Sequence, residues 1–462
     1  DVYKRQALGA FETASMAYRI NAAGHQRDDF IAFKQFDAVI GDLQVSLEGK
    51  VKENVKITLG AQAVDLSTLG ILNGRPLPAV SLDLKADFSG GANHFSFHDV
   101  SGNLGETDIS GNIEISLAEP RPKIDLTVKS GLLDLRPFLS QFDKDDEKSE
   151  ALRQKRLIPA IRLPLEVLKT ADLNIAFSAD EVRRDKDSFK NLVLEADVFN
   201  GKLNIPILSV NGSRQGRYRS SLTIDPTDAD NADVRIDIKA EDMLLNLFDL
   251  PQEALSTLPL YDLEFHGQGK GGDLRELAAT LNGSLTMESS GGSLGDVSLG
   301  VLDVFLIDEI FGLIMPKSDK DDTLEVNCYA SSFKITDGLV RTDPAIAYST
   351  NKLILIARGT LNLKTESLNF NFNATPARAL KVSAGELINP YIRIGGTLAD
   401  PDVGLDPGKT LLHGGAAVGT AGISILAKGL LDRMSTATPL CEQMLEQARH
   451  CLLYTSPSPR DL

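Results

Sequence analysis

Gly111-Asn112-Ile113-Glu114-Ile115-Ser116-Leu117, the break Pro120-Arg121-Pro122, and then Ile124-Asp125-Leu126-Thr127-Val128 decide the fold. Ile113, Ile115 and Leu117 alternate with polar residues, as do Ile124, Leu126 and Val128. Successive side chains of a strand point to opposite faces, so each run is a strand with one apolar and one polar side. Leu132-Leu133-Asp134-Leu135 closes the phrase. It recurs downstream as Leu222 and Ile224, then Val234, Ile236 and Ile238, ended by Leu244-Leu245-Asn246-Leu247. A looser copy runs Leu353, Leu355, Leu361, Leu363, Leu368, Phe370 and Phe372. A chain that repeats such ribbons extends in one direction rather than closing into a globe. The expected fold is therefore mainly β: an elongated, curved, antiparallel sheet or groove built from repeats, with a few short helices and a small-residue helical C-terminus.

Outward from this phrase the text stays strand-like. From Phe36 to Leu139, turns are signalled by Gly90-Gly91, Gly102-Asn103 and Pro120-Arg121-Pro122. The expected organisation is an N-terminal β-repeat region over 7–140, a charged linker over 141–160 and a middle β-repeat over 161–257. A C-terminal β-groove module over 258–408 carries an inserted helix at 294–315, and C-terminal helices occupy 409–450. The inserted helix has Asp296 and Asp303 on one face and an apolar stripe opposite. It reads either as a helix packed on the sheet or as a movable plug over an apolar groove. The Gly/Ala-rich stretch from Leu411 to Ala427 is a small-residue helix packed on protein, or one that touches a membrane. Residues 1–6 and 451–462 fit neither repeat nor cap and resemble translated sequencing-adapter read-through, so they carry no fold argument. The natural N-terminus is then expected to be missing, and any anchor with it.

Composition narrows the function. The chain has 462 residues, 42% hydrophobic and 24% charged, as in a folded protein rather than a disordered one. Aromatics make up 6% with no Trp, so the apolar surface is mostly Leu, Ile and Val. A net charge of −16 argues against nucleic acid, whose phosphates call for Lys and Arg, and against docking on anionic membranes. Cys328, Cys441 and Cys451 are an odd and sparse set, read as no disulfide framework and no metal site.

Gly267-Gln268-Gly269-Lys270-Gly271-Gly272 has the Gly-x-Gly-x-x-Gly spacing of dinucleotide loops. Its neighbours are strand upon strand, whereas a doubly wound sheet alternates strands with helices. A flexible strand exit into a short helix is the reading preferred over a nucleotide site. Asp143, Asp145, Asp146 and Glu147, and likewise Asp228, Asp230 and Asp233, lack the Gly and closing Glu of a calcium loop and read as solvated turns. The six His residues form no catalytic grouping. No catalytic residue, metal or cofactor is expected, and the protein is read as a non-enzyme.

Leu281-Asn282-Gly283, then Ile394-Gly395-Gly396-Thr397-Leu398-Ala399-Asp400-Pro401 and Asp406-Pro407-Gly408, are similar to the closing region of AsmA family proteins. Gly414-Gly415-Ala416-Ala417 and Cys441 fit the same order, and Leu163-Pro164-Leu165 through Gly201-Lys202-Leu203 resembles the family's middle region. The likeness runs from Leu163 to His450. It implies a Gram-negative envelope protein exposed to the periplasm and tethered to the inner membrane by an N-terminal helix. It further implies a curved β-groove related to bridge-like lipid transfer proteins, a link to phospholipid traffic and outer-membrane integrity, and no catalytic residues.

Phospholipid acyl chains are thus the expected ligand, with other envelope proteins as further partners. Ile113, Ile115, Ile124, Leu126, Leu222, Ile224, Val234, Ile236, Leu353, Leu355, Phe370 and Phe372 are the candidate lining positions. The same residues can fill an ordinary sandwich core, which would make the protein a structural or assembly factor for outer-membrane proteins.

Overall fold

The computed structural model describes residues 11–12, 18–27, 30–51, 55–72, 75–91, 93–117, 120–139, 156–184, 187–212, 216–244, 257–293, 325–376, 391–405 and 441. The inserted helix expected at 294–315, the linker before residue 156 and, Cys441 apart, the C-terminal helices lie outside these residues. The described chain is mainly β and forms two compact units, one of residues 1–151 and 164–232, the other of 152–163 and 233–462.

In the first unit the strands are β1 (Phe11–Glu12), β2 (Tyr18–Arg27), β3 (Phe30–Ile40), β4 (Leu43–Val51), β5 (Val55–Ala63), β6 (Ile71–Leu72), β7 (Arg75–Pro76) and β8 (Leu82–Gly90). They continue as β9 (His94–Leu104), β10 (Thr107–Ser116), β11 (Lys123–Asp134), β12 (Asp172–Arg184), β13 (Asp187–Phe199), β14 (Lys202–Asn211) and β15 (Arg217–Pro226). Two short helices, α1 (Arg136–Leu139) and α2 (Leu165–Leu168), lie between β11 and β12. β1, β6 and β7 make a small separate sheet. All the others pair in chain order into one open curved sheet, from β2 beside β3 to β14 beside β15.

Every pair in this sheet is antiparallel except β11 with β12. Antiparallel neighbours need only a tight turn; parallel ones need a long crossover, and the chain supplies one through α1 and α2. The β13–β14 turn is Asn200-Gly201, both at positive φ (51° and 82°), the type I′ geometry whose twist suits a hairpin. Pro206 sits where β14 shifts register against both β13 and β15. Proline cannot donate to a ladder and is confined to such bulges within a sheet.

Beyond Ser110↔Lys129 the described β10–β11 register ends, and side chains take over. The Asp108 carboxylate accepts from Gly131 N and Leu132 N (2.8 and 2.6 Å), and Thr107 Oγ1 accepts from Asp134 N (2.9 Å). Asp134 is buried, and Arg136 donates to it from Nε (2.9 Å) and Nη2 (2.8 Å). Those bonds hold the Asp134 carboxyl below the usual carboxylate range. Glu106 joins Arg136 to Arg183 at the same rim.

The second unit contains β16 (Ala232–Leu244), β17 (Leu260–Gly271), α3 (Leu274–Thr280), β18 (Asn282–Ser289), β19 (Gly292–Ser293), β20 (Glu325–Thr336), β21 (Leu339–Thr350), β22 (Leu353–Asn362), β23 (Ser367–Pro376), β24 (Tyr391–Gly396) and β25 (Pro401–Leu405). Its antiparallel order is β17-β18-β20-β21-β22-β23-β24-β25, with β19 also on β20. β16 is tied to β17 by Asp242 N donating to Asp262 Oδ1 (2.8 Å) and by Asp237 on His266 (2.6 Å). The turn Asp337-Gly338 repeats the positive-φ pair of the first unit.

Residues 156–163 form a strap along one end of this sheet. The Glu366 carboxylate, 1% exposed, accepts from Leu157 N (2.7 Å) and Ile158 N (3.1 Å). Arg275 Nη2 donates to Ile158 O (3.0 Å), and Leu163 N donates to Gly272 O (2.8 Å). A buried carboxylate is tolerated here because two amide donors surround it.

The three cysteines do not all stay apart. Contrary to the sequence expectation, Cys328 and Cys441 form a disulfide across a separation of 113 residues. It joins β20 to a residue far beyond the last described strand, a partnership no local spacing encodes.

Two outcomes follow from these contacts. Asp134→Asn is expected to cost about 1 kcal/mol in urea unfolding at pH 7. The wild-type advantage is present above the unfolded carboxylate value of about 3.9 and is lost as pH falls through the lower folded value, so the two proteins converge in acid. Glu366→Ala removes the acceptor of both strap amides, and hydrogen exchange at Leu157 and Ile158 should quicken at least about tenfold while the β21 amides stay protected.

Candidate functional site

Residues directly opposite each other in neighbouring strands share a face, so register assembles the site from single pairs. In the first unit Phe95 faces Ile115, Ile115 faces Ile124, Ile124 faces Leu173, Leu173 faces Val198, Val198 faces Leu203, and Leu203 faces Ile224. One apolar row thus crosses β9 to β15. A second, one step along the strands, runs Phe88, Phe97, Ile113, Leu126, Ile175 and Ala196. On the reverse face the same pairings line up Ser96, Glu114, Asp125, Asn174, Asp197, Asn204 and Thr223, all polar. Asn204 Nδ2 donates to Asp197 Oδ2 there (2.9 Å).

Six of the twelve candidates, Ile113, Ile115, Ile124, Leu126, Leu222 and Ile224, are brought together on this apolar face. Leu222 joins through Ile205. Ile113, Ile115, Ile124, Leu126, Leu173, Ile175 and Leu222 are half-buried, whereas Val198 and Ile224 are buried. Most of the face therefore keeps contact with solvent, which a filled sandwich core would not. Phe88 packs against Phe95 and Phe97 on the same face, with ring centroids 6.1 and 5.1 Å apart.

The second unit differs. Phe372 faces Ala357 and Ile392, Phe370 faces Gly359 and Ile394, and Leu355 faces Tyr348 and Ala374. Leu355, Phe370 and Phe372 thus share one face, and Leu353 pairs with Pro376 in the same register. Phe370 and Phe372 are half-buried, but Leu355 is 4% and Ile392 0% exposed. For Leu355 the core reading describes the surroundings better than an open lining does. Val234 and Ile236 alternate with Asp233, bonded to Lys270, and Asp237, bonded to His266, so they occupy the face opposite those charges. The short bond from Asp237 pushes the His266 pKa up.

Tyr261, Tyr329 and Tyr348 form an edge-to-face ladder with centroids 5.7 and 6.2 Å apart, and Tyr329 OH donates to Ser331 Oγ (2.9 Å). Burial pushes Tyr261 up to about 12 and Tyr348 up as well, so the phenols stay neutral. Sequence reasoning missed this ladder, because Tyr261 on β17 joins the Tyr329–Tyr348 pair of the β20–β21 hairpin from far upstream in the chain.

The glycine-rich loop is not a phosphate cradle. Gly267 pairs with Gly283 inside an antiparallel ladder, and β17 runs on to Gly271 before α3 begins. A Cβ at Gly269 would lie 2.8 Å from Leu277 O, and one at Gly271 2.9 Å from Leu277 N, so these glycines let the helix lie on the strand. The first helical amides are taken by protein: Asp273 Oδ1 accepts from Glu276 N and Glu276 Oε2 from Gly272 N. This is the strand exit into a short helix that the flanking text predicts. Asp228 likewise closes a turn, accepting from Asp230 N and Asn231 N.

A family model for the AsmA family matches residues 39–345, well over half of the 462-residue chain. The chain belongs to the AsmA family. The match reaches upstream of Leu163, into β3 to β11, and ends at residue 345, before the Ile394–Pro401 and Gly414–Ala417 motifs of the sequence likeness. The AsmA family protein YhjG of Escherichia coli (strain K12) is 23% identical over 376 residues, 77% of this chain and 53% of that protein. This AsmA-family chain therefore spans about half the length of the curated relative it matches. No solved structure matches it. AsmA family proteins are envelope proteins. Among the described residues, no helix is long and apolar enough to cross a membrane.

Proposed function

We propose that this chain is a non-enzymatic envelope protein that shields phospholipid acyl chains along the apolar face of its first unit and so supports outer-membrane lipid homeostasis. The observation that carries the reading is the apolar row from Phe95 to Ile224, continuous over seven strands, mostly half-buried and backed on the reverse face by the polar row from Ser96 to Thr223. Laying an acyl chain on such a row removes methylenes from water at about 0.8 kcal/mol each, several kcal/mol for even a partly covered chain. The attraction is non-directional, so it selects for hydrocarbon and not for a head group. In this reading the protein sits in the periplasm, anchored to the inner membrane by a segment N-terminal to the residues described. The Cys328–Cys441 disulfide supports an oxidising compartment.

The buried face around Tyr348, Leu355, Ile392 and Ile394 favours a second role for the second unit, as a structural module that recruits other envelope proteins. The two roles are separable by experiment.

Native mass spectrometry of the protein extracted from membranes is expected to show bound phospholipid. Ile113→Glu with Ile175→Glu, two changes on one apolar row, should reduce the lipid-bound fraction about tenfold, equivalent to about 1.4 kcal/mol. Thr127→Glu, on the polar face, should leave it unchanged, with circular dichroism confirming that all variants fold. A clean apo mass for the wild type, or full lipid retention in the double variant, would end the lipid proposal and leave the scaffold reading.

A further inference from the structure

Along the polar side of the second unit one register row runs Asp262, Glu288, Ala330, Ala347, Ile356 and Asn373. Acids stand at one end and an amide at the other, but the three strands between, β20 to β22, carry two alanines and an isoleucine. Ala330 and Ala347 are 0% exposed and Ile356 5%, so this part of the face is covered. They form a buried cluster with Ala345, Ile354 and Cys441, and Cys328 packs against it. Three strands place the outer two about 10 Å apart, close to the width of one helix. Alanine side chains let a covering backbone come near, and Cys441, itself helical, stands in the cluster.

We propose that this patch is a seat for the C-terminal segment carrying Cys441, and that the Cys328–Cys441 disulfide is the clamp that fastens it once the chain reaches an oxidising compartment. The inference does not depend on lipid binding. Clamping is a two-electron oxidation: the Cys328 and Cys441 thiols give up two protons and two electrons, and the disulfide of a thiol–disulfide exchange partner leaves as a dithiol. Before that step the seat is a bare apolar strip on an otherwise polar face. Afterwards the segment cannot leave without reduction, and the bond closes a loop of 113 residues that an unfolded chain would otherwise leave open.

The test counts thiols in the full-length protein, produced in an oxidising compartment and alkylated under denaturing conditions. Of three cysteines, one should label before reduction and three after, and peptide mapping should recover Cys328 linked to Cys441. Trypsin cleavage at Lys428 and Arg433 should leave the Cys441 peptide attached to the body without reductant. Reduction, or Cys328→Ser, should release it at least about tenfold faster, with the β-sheet signal unchanged. Labelling of all three cysteines before reduction, or any other linked pair, would overturn the clamp. Equal retention of the nicked segment with and without reductant would show that the seat holds it unaided, and would overturn the clamp as well.

Discussion

Cross-strand register is the constraint on which the rest of this structure depends. Side chains alternate with a period of two, so a slip of one residue in a single pair would send every later apolar side chain to the wrong face. The row from Phe95 to Ile224 needs six successive registers to agree. Where the text itself slips, the ladder absorbs it. β14 reads Leu203, Ile205 and then Leu208, and the register shift around Pro206 sets Leu208 opposite Leu194. A bulge adds one residue to one strand, which restores the face at the cost of a local kink.

That explains which features were legible in the sequence. Alternation is local, so the strands around Ile113, Ile124, Leu222 and Phe370 could be read without coordinates, and the polar punctuation gave most of the turns. Register is also local within hairpins, which sets Ile113, Ile115, Ile124 and Leu126 on one face; Leu222 and Ile224 join that face only across the parallel β11–β12 pair, whose register no local text fixes. Long-range choices were not legible. Nothing in 156–163 has a period, yet the Glu366 carboxylate binds this segment from a turn far along the chain. The disulfide was hidden for the same reason: three cysteines without spacing give no pairing, and only β20's position against Cys441 supplies one. The alternation of Leu355 matches that of Phe370, while its burial is set by what packs over the sheet rather than by strand text.

The two units put the same local pattern to different uses. In the first, aliphatic side chains stay half-buried over many strands. In the second, both faces are buried at β21 and β22: Tyr348 and Leu355 on one side, Ala347 and Ile356 on the other. A strand covered on both faces should read as continuously apolar rather than alternating. Leu353-Ile354-Leu355-Ile356-Ala357 does so, and four consecutive residues of it, Ile354 to Ala357, are buried.

An apolar face left partly open poses a solubility problem, since contiguous exposed hydrocarbon promotes association. Three properties of this chain oppose it. The reverse face carries an unbroken polar row from Ser96 to Thr223, and the net charge of −16 makes copies repel. The apolar side chains also shield one another: Ile115 is flanked by Phe95 and Ile124, so each retains only part of its exposure. Partial shielding has a further consequence for binding. Because the row is already half removed from water, a ligand gains only the remaining area at each residue, and affinity must come from length of contact rather than depth at one point. A surface of this kind suits long, flexible, uniform hydrocarbon and disfavours compact ligands, which can cover only a few positions. Under the proposed lipid role, low gain per position would also mean that no single register along the row traps such a chain, and an acyl chain held by many weak contacts would stay free to slide from strand to strand.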